Sequence, residues 1–319
     1  MTTVAEPKRP YTSRWKSAGN FEPKLTERHI EAFKLLTRYT YLPAPYFPAF
    51  LGGHKDSWQE ALRHLTGAGY LDRPKQQRQH YNANYRPLVY ALGTRGLYAL
   101  IERGVECEKP HARRSFGHEL MTSELMASFE LGARESTVRL ITWQDILKSE
   151  SLPETTRRST KPFRIPITVM LDGKRDERHI EADGQPFGIQ RIIDERRVHY
   201  FCPGIEADCG TEPVDTSDFE RSSIFKKFVL YEAVYAEGIH RSHFGFPSLF
   251  VPVITTNKAR MHSMMDLLKR ITAGRGSTIF LFKTFPAFTS FEKPRPPSGH
   301  MLTDDWQRLG YPPFNFLTS

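Results

Sequence analysis

Residues 200–212, "YFCPGIEADCGTE", set two acids one position apart at the end of a run that otherwise reads as a buried β-strand. Side chains alternate across a strand, so Glu206 and Asp208 share one face while Phe201, Ile205, Ala207 and Cys209 share the other. A fold that accepts this run must supply an apolar layer on one side. On the other it must offset two adjacent negative charges. Water does so where a strand end is exposed, the commonest situation for Asp and Glu. In a buried setting a divalent cation or a shared proton is needed, which makes the pair a metal-ligand candidate.

A chain of 319 residues with 39% hydrophobic content can bury a substantial core, and its size favours two domains over one. Lys and Arg number 45 against 36 Asp and Glu, a net charge of +9 that favours a polyanionic partner. The three cysteines, Cys107, Cys202 and Cys209, are odd in number and lack CxxC spacing. They indicate neither a disulfide framework nor a zinc knuckle, and they fit a reducing cytoplasm. The opening "MTTVAEPKRPYTSRWKS" has no apolar signal-peptide stretch, and no apolar run reaches membrane-spanning length. The expectation is a soluble cytoplasmic protein with no membrane partner.

Residues 1–22 read as a flexible basic arm. Over residues 23–106, "LTERHIEAFKLLTRYTYL" predicts a helix with Thr26 as N-cap and Ile30, Phe33, Leu35 and Leu36 inward. A short segment follows, then "HKDSWQEALRHLTGAGYL" predicts a helix burying Trp58, Ala61, Leu62 and Leu65 and ending at Gly67 and Gly69. Two short strands around a polar loop and a closing helix at "TRGLYALIERG" complete a winged-helix order. In such a module the third helix can enter a DNA groove and the wing can touch the backbone. Lys55, Gln59 and Arg63 face outward on that helix, and the wing offers Arg73, Lys75, Arg78, His80 and Arg86, with Tyr81 and Tyr85 placed either to stack on bases or to pack the hairpin. Winged helices also dock proteins, so the order alone leaves both partners open.

A linker at 107–115 separates this module from residues 116–285, where the pattern changes to α-β-β-β-α-β: a helix at "FGHELMTSELMASFELGA", strands at "FRIPITVML", "RHIEADGQPFGIQ" and "RRVHYFCPGIEAD", a helix at "SIFKKFVLYEAVYAEG" and a strand at "PSLFVPVITT". Residues 286–319 read as a Pro-rich tail. The fold class expected is α/β, or α+β, with a mixed central sheet in the second domain.

That order, with its acids, resembles the PD-(D/E)xK restriction-endonuclease-like fold. The resemblance implies that Asp183 in "IEADGQPF" and Glu206 in "IEAD" hold Mg²⁺ for phosphodiester hydrolysis. Asp208 stands where this fold usually has lysine, and a lysine migrated to the following helix is available as Lys226 or Lys227. Asp183, Glu206 and Asp208 are thus the expected ligands of Mg²⁺ or Mn²⁺, and Lys227, four residues before Tyr231, has the better register. The whole chain is similar to the bacterial replication-relaxation family of plasmids and other mobile elements, through Glu181–Gly184, Glu206–Glu212 and Lys226–Tyr231 after a winged helix. This implies DNA as partner, and replication or conjugation proteins beside it.

Each residue also has a structural reading. Asp183 precedes Gly184 and Pro186 and suits a turn, Lys226 suits a solvated helix face, and Glu119 suits either a solvated helix start or a further ligand. Two functions follow: a metal-dependent DNA endonuclease or nickase, or a catalytically inactive accessory protein that keeps the nuclease-like fold as a scaffold. A covalent Tyr or Ser mechanism is disfavoured, because no histidine pair of the HUH kind accompanies a tyrosine.

Overall fold

A computed structural model describes residues 22–79, 86–171, 173–194, 197–216, 219–288 and 295–319. The chain divides into two compact units, Met1–Ala112 and Arg113–Ser319, of mixed α+β character. The expected basic arm, apart from Glu22, and His80, Tyr81 and Tyr85 lie outside the described residues.

In the first unit, α1 (Glu27–Arg38) starts at Thr26, whose hydroxyl accepts from His29 N while the His29 ring accepts from Thr26 N. Its inward stripe is Ile30, Phe33, Leu35 and Leu36. After β1 (Leu42–Pro43) and α2 (Tyr46–Leu51), α3 (Lys55–Gly67) buries Trp58, Leu62 and Leu65. Gly69, at φ +79°, turns the chain into β2 (Leu71–Asp72). A 3-10 turn at Lys75–Gln79, β3 (Val89–Leu92) and α4 (Thr94–Ile101) complete the unit. The sheet order is β1-β3-β2, antiparallel throughout. The Gln77 amide bonds both Val89 N and Val89 O, at 2.9 and 3.0 Å, and so acts as a strand partner beyond the short β2.

The second unit runs α5 (Phe116–Arg134), β4 (Arg139–Ile141), α6 (Trp143–Lys148), α7 (Glu154–Arg157), β5 (Ile165–Leu171), β6 (Lys174–Ile180), β7 (Gly188–Asp194), β8 (Arg197–Phe201), β9 (Glu206–Asp208), α8 (Ile224–Ala236), α9 (Ile239–Phe244), β10 (Val251–Thr255), α10 (Lys258–Ile271), β11 (Phe280–Thr284) and α11 (His300–Thr303). Strands β9, β10 and β11 are parallel, in the order β11-β10-β9, because helical crossovers connect each to the next. One face of this sheet, through Ala207, Ile254 and Leu281, shares a core with Met121, Leu125 and Phe129 of α5. The other, through Val251, Val253, Phe280 and Phe282, shares a core with Phe228 and Tyr231 of α8 and Met264, Leu267 and Leu268 of α10.

The single mixed sheet expected from the sequence is replaced by three small ones: this parallel sheet, the antiparallel sheet β4-β7-β8 and the hairpin β5-β6. The run expected as one strand up to Asp208 breaks between β8 and β9 at Cys202–Ile205, where Pro203 has no amide hydrogen to continue a ladder. The chain there passes beside Phe250 instead, with Phe250 N bonded to Cys202 O and Gly204 N to Phe250 O.

The segment read as a Pro-rich tail carries core residues. Met301, Leu302, Trp306, Phe314 and Phe316 are buried, and Trp306 and Phe316 lie 6.0 and 5.5 Å from the Phe129 ring. Trp306 N bonds Phe314 O, and Phe282 exchanges backbone hydrogen bonds with Gln307. Proline marks where this segment turns, but its aromatics decide where it goes. Trp306→Ala should therefore cost about 3–5 kcal/mol of stability, read as a lower urea midpoint. A midpoint unchanged by the substitution would return the segment to the status of a tail.

Candidate active site

Asp183 lies in the loop after β6. Its N–H donates to Ile205 O at 2.9 Å, and its Oδ2 accepts from Ala207 N at 2.9 Å. The carboxylate thus serves as a backbone partner along β9, the outer strand of its sheet, which fixes its position and buries its side chain completely. Glu206, on β9, is also buried. Its Oε1 accepts from the Tyr231 hydroxyl at 2.5 Å, and its Oε2 lies 2.8 Å from Lys227 Nζ. Lys227 also approaches Asp183 Oδ2 at 3.5 Å and Glu212 Oε2 at 3.1 Å. Lys227 and Tyr231 are one helical turn apart on α8, whose start is capped by Ser223, so both reach Glu206. Lys226 points elsewhere, its ammonium 5.5 Å from the Phe219 ring.

Asp208 shares the Glu206 face but not its partners. Arg260 on α10 takes both of its oxygens, at 2.5 and 2.7 Å, and Thr255 Oγ1 donates to one at 2.6 Å. The acid pair that the sequence leaves unexplained is therefore divided between two cations from two helices.

Two residues with no local signature in the sequence also reach Asp183. Arg114 lies 2.6 Å from Oδ1, and His118 Nε2 lies 3.2 Å from Oδ2. Both belong to the start of α5 and the residues leading into it. Glu119 is placed to shape that lead-in, its Oε1 accepting from Arg113 N and Arg114 N at 2.8 and 2.9 Å, while Arg113 pairs with Glu181. Arg114 stands 69 positions before its partner, and nothing in local periodicity joins the two.

Burial alone would raise the pKa of Asp183. Lys227, the His118 hydrogen bond and Arg114 outweigh it and hold the carboxyl well below the usual range. For Glu206 the balance reverses. Burial and the charge of Asp183 push it up to about 8, against the opposing pull of Lys227 and Tyr231. Burial disfavours the Lys227 charge, but Glu206, Asp183 and Glu212 more than restore it and raise its pKa.

Among the described residues no three His, Cys, Asp or Glu side chains are gathered as they would be around a metal ion. The donor set nevertheless suits a cation that takes few protein ligands. One oxygen of each buried acid, Asp183 Oδ1 and Glu206 Oε2, accepts no aligned hydrogen bond, while the other is anchored by Ala207 N or Tyr231. Mg²⁺ is commonly held by one or two carboxylates, with water and substrate phosphate as the remaining ligands. Asp208, closed by Arg260, is not free to join them.

In the first unit, Lys55, Gln59 and Arg63 are exposed at successive turns of α3, opposite Trp58, Leu62 and Leu65, and Glu60 is exposed beside them. Lys75 and Arg78 are exposed on the 3-10 turn, and Arg73 and Arg86 are half-buried on either side of it.

The family model for replication-relaxation proteins matches residues 28–249. That span includes Asp183, Glu206, Asp208 and Lys227, and the chain belongs to the replication-relaxation family. Neither the curated proteins nor the solved structures contain a match to it.

The Glu206 shift has a pH signature. The folded chain retains a proton between the ordinary glutamate value of 4.5 and about 8, where the unfolded chain releases it. Stability should therefore fall as pH rises through that window. Glu206→Gln does not titrate, so its stability should gain on that of the parent as pH rises. Urea denaturation between about pH 5 and about pH 9 measures the difference, and parallel curves would show that Glu206 holds no proton there.

Proposed function

We propose that this chain is a DNA-binding protein of plasmid or mobile-element replication and mobilisation, and that its second unit is a metal-dependent endonuclease that nicks DNA. The family supports the replication theme. The observation that carries the nuclease reading is the shared ammonium of Lys227, 2.8 Å from Glu206 and 3.5 Å from Asp183, with one oxygen of each acid left without an aligned donor. An Asp beside a strand, a Glu on it and a lysine from the next helix is the acid–acid–base set of a PD-(D/E)xK site with its lysine migrated. In this reading the first unit is a winged helix, supported by its element order, its three-stranded antiparallel sheet and the Lys55, Gln59 and Arg63 face of α3. Its partner is DNA, with replication or conjugation proteins acting alongside.

Asp183 and Glu206 would hold Mg²⁺ or Mn²⁺, which when bound neutralises phosphate charge and lowers the pKa of a water molecule. Tyr231 fixes Glu206 through Oε1 and leaves Oε2 toward the site. Ala207 N does the same for Asp183 through Oδ2. Lys227, still charged, orients the attacking water or stabilises charge developing on the phosphoryl oxygens. Asp208 is reassigned from ligand to anchor, tying the end of β9 to α10 through Arg260. Lys226 has no part in the set.

Supercoiled plasmid incubated with Mg²⁺ or Mn²⁺ should yield nicked product. Glu206→Gln and Asp183→Asn should reduce the rate by orders of magnitude while remaining folded. The second reading, a nuclease-like scaffold without catalysis, is favoured by the internal neutralisation of all three acids by Lys227, Arg114 and Arg260. If neither parent nor variants cleave, and Mg²⁺ raises the melting temperature of none, the scaffold reading replaces the enzyme. In either case, neutralising Lys55 or Arg63 should lower the slope of log affinity against log salt by about one per lost phosphate contact. An unchanged slope would remove α3 from the DNA interface.

A further inference from the structure

Two cations and a histidine surround the buried acids, and they differ in reach. The Lys227 and His118 side chains are 14% and 12% exposed, whereas Arg114 is 38% exposed although its guanidinium lies 2.6 Å from a fully buried carboxylate. Arg114 therefore spans the distance from solvent to the site. Its contact is with Oδ1, the Asp183 oxygen that accepts no aligned hydrogen bond, while Oδ2 is already served by Ala207 N, His118 and Lys227. Asp183 thus has other partners, Lys227 among them a cation. The lead-in is also built rather than loose, because the single Glu119 oxygen holds two consecutive amides, those of Arg113 and Arg114.

We propose that Arg114 is the residue that grips the DNA phosphate at this site, that it is parked on Asp183 Oδ1 while DNA and metal are absent, and that Glu119 is its positioning residue. The inference rests on the nuclease reading. A divalent ion held by Asp183 would compete with the guanidinium for that carboxylate, and Arg114, 38% exposed, already stands at the mouth of the site. Arginine suits this role because its planar donors match two phosphate oxygens at once, which an ammonium cannot do. Metal arrival and phosphate capture are then linked: the ion frees the arginine, and the arginine supplies the positive charge that the substrate meets. Arg113, one position away and paired with Glu181 outside the acid cluster, provides an internal control of equal charge.

The test uses the full chain and two binding measurements besides activity. Without DNA, Arg114→Ala should bind Mg²⁺ several-fold more tightly by thermal shift, because a competing cation has left Asp183. With Ca²⁺ as a non-cleaving ion and a short DNA duplex as probe, the same variant should bind about tenfold more weakly, with a salt slope lower by about one. Arg114→Lys should fall between parent and alanine, and Arg113→Ala should stay close to the parent in both measurements. Glu119→Ala should weaken the Ca²⁺-supported DNA affinity, and Glu119→Gln, which keeps an acceptor oxygen for the two amides, should restore it. The proposal is overturned if Arg114→Ala leaves DNA affinity unchanged or weakens Mg²⁺ binding while the parent nicks DNA. If the parent neither binds Mg²⁺ nor nicks, the nuclease reading itself fails and takes this proposal with it.

Discussion

The second unit is organised around one buried ammonium. Lys227 stands among Glu206, Asp183 and Glu212, all within 3.5 Å, at a depth where an isolated charge would cost several kcal/mol. None of these groups could be buried alone, so each fixes the position of the others. Lysine can reach the acids only if α8 lies across the parallel sheet. Glu206 can face it only if β9 keeps its register against β10, with Glu206 opposite Val253. The hydrophobic layers on either side supply the bulk of the stability. The charges choose which of the possible packings is the right one.

The parts of this arrangement legible in the sequence are those with a local signature. The apolar stripes of α1 and α3, the shared face of Glu206 and Asp208, and the turn spacing of Lys227 and Tyr231 follow from fixed periods of 3.6 or 2 residues, and Thr26 as N-cap from a hydroxyl placed to accept a first-turn amide. Arg114 and Arg260 were not legible. They lie 69 and 52 residues from their acids, and an arginine before or on a helix reads the same whether it faces water or a carboxylate. The aromatic residues from Trp306 to Phe316 were hidden by the prolines around them. Pro203 could have been read from the sequence as a ladder break, but the apolar alternation on either side of it argued for one strand.

The two acids under Lys227 differ in a way that matters for chemistry. Asp183 is surrounded by donors and stays ionised. Glu206 is buried beside the charge of Asp183 with fewer compensating groups, and its pKa is pushed up to about 8. Two carboxyl groups whose environments drive their pKa values apart are suited to different tasks. In the proposed metal site Asp183 would be the permanent anion that draws a cation. Glu206 would become its full partner only on losing its proton, so the metal affinity that this reading proposes should strengthen with pH over the range in which Glu206 titrates.

Asp208 is the informative contrast. It lies on the same strand and the same face as Glu206, is equally buried, and is also paired with a cation, yet its partner is arginine. The Arg260 fork meets both oxygens of Asp208, while Thr255 adds a third donor, so the pair is closed and an incoming ion would have to break several aligned hydrogen bonds at once. Lys227 is a point charge divided among three acids, and it leaves Glu206 Oε2 and Asp183 Oδ1 without aligned donors. A cation that is shared can be displaced by a small shift of one flexible side chain, whereas a bidentate pair cannot be opened without losing its whole geometry. The difference between lysine and arginine thus separates, within three residues of one strand, a carboxylate that can exchange its partner from one that holds the fold together.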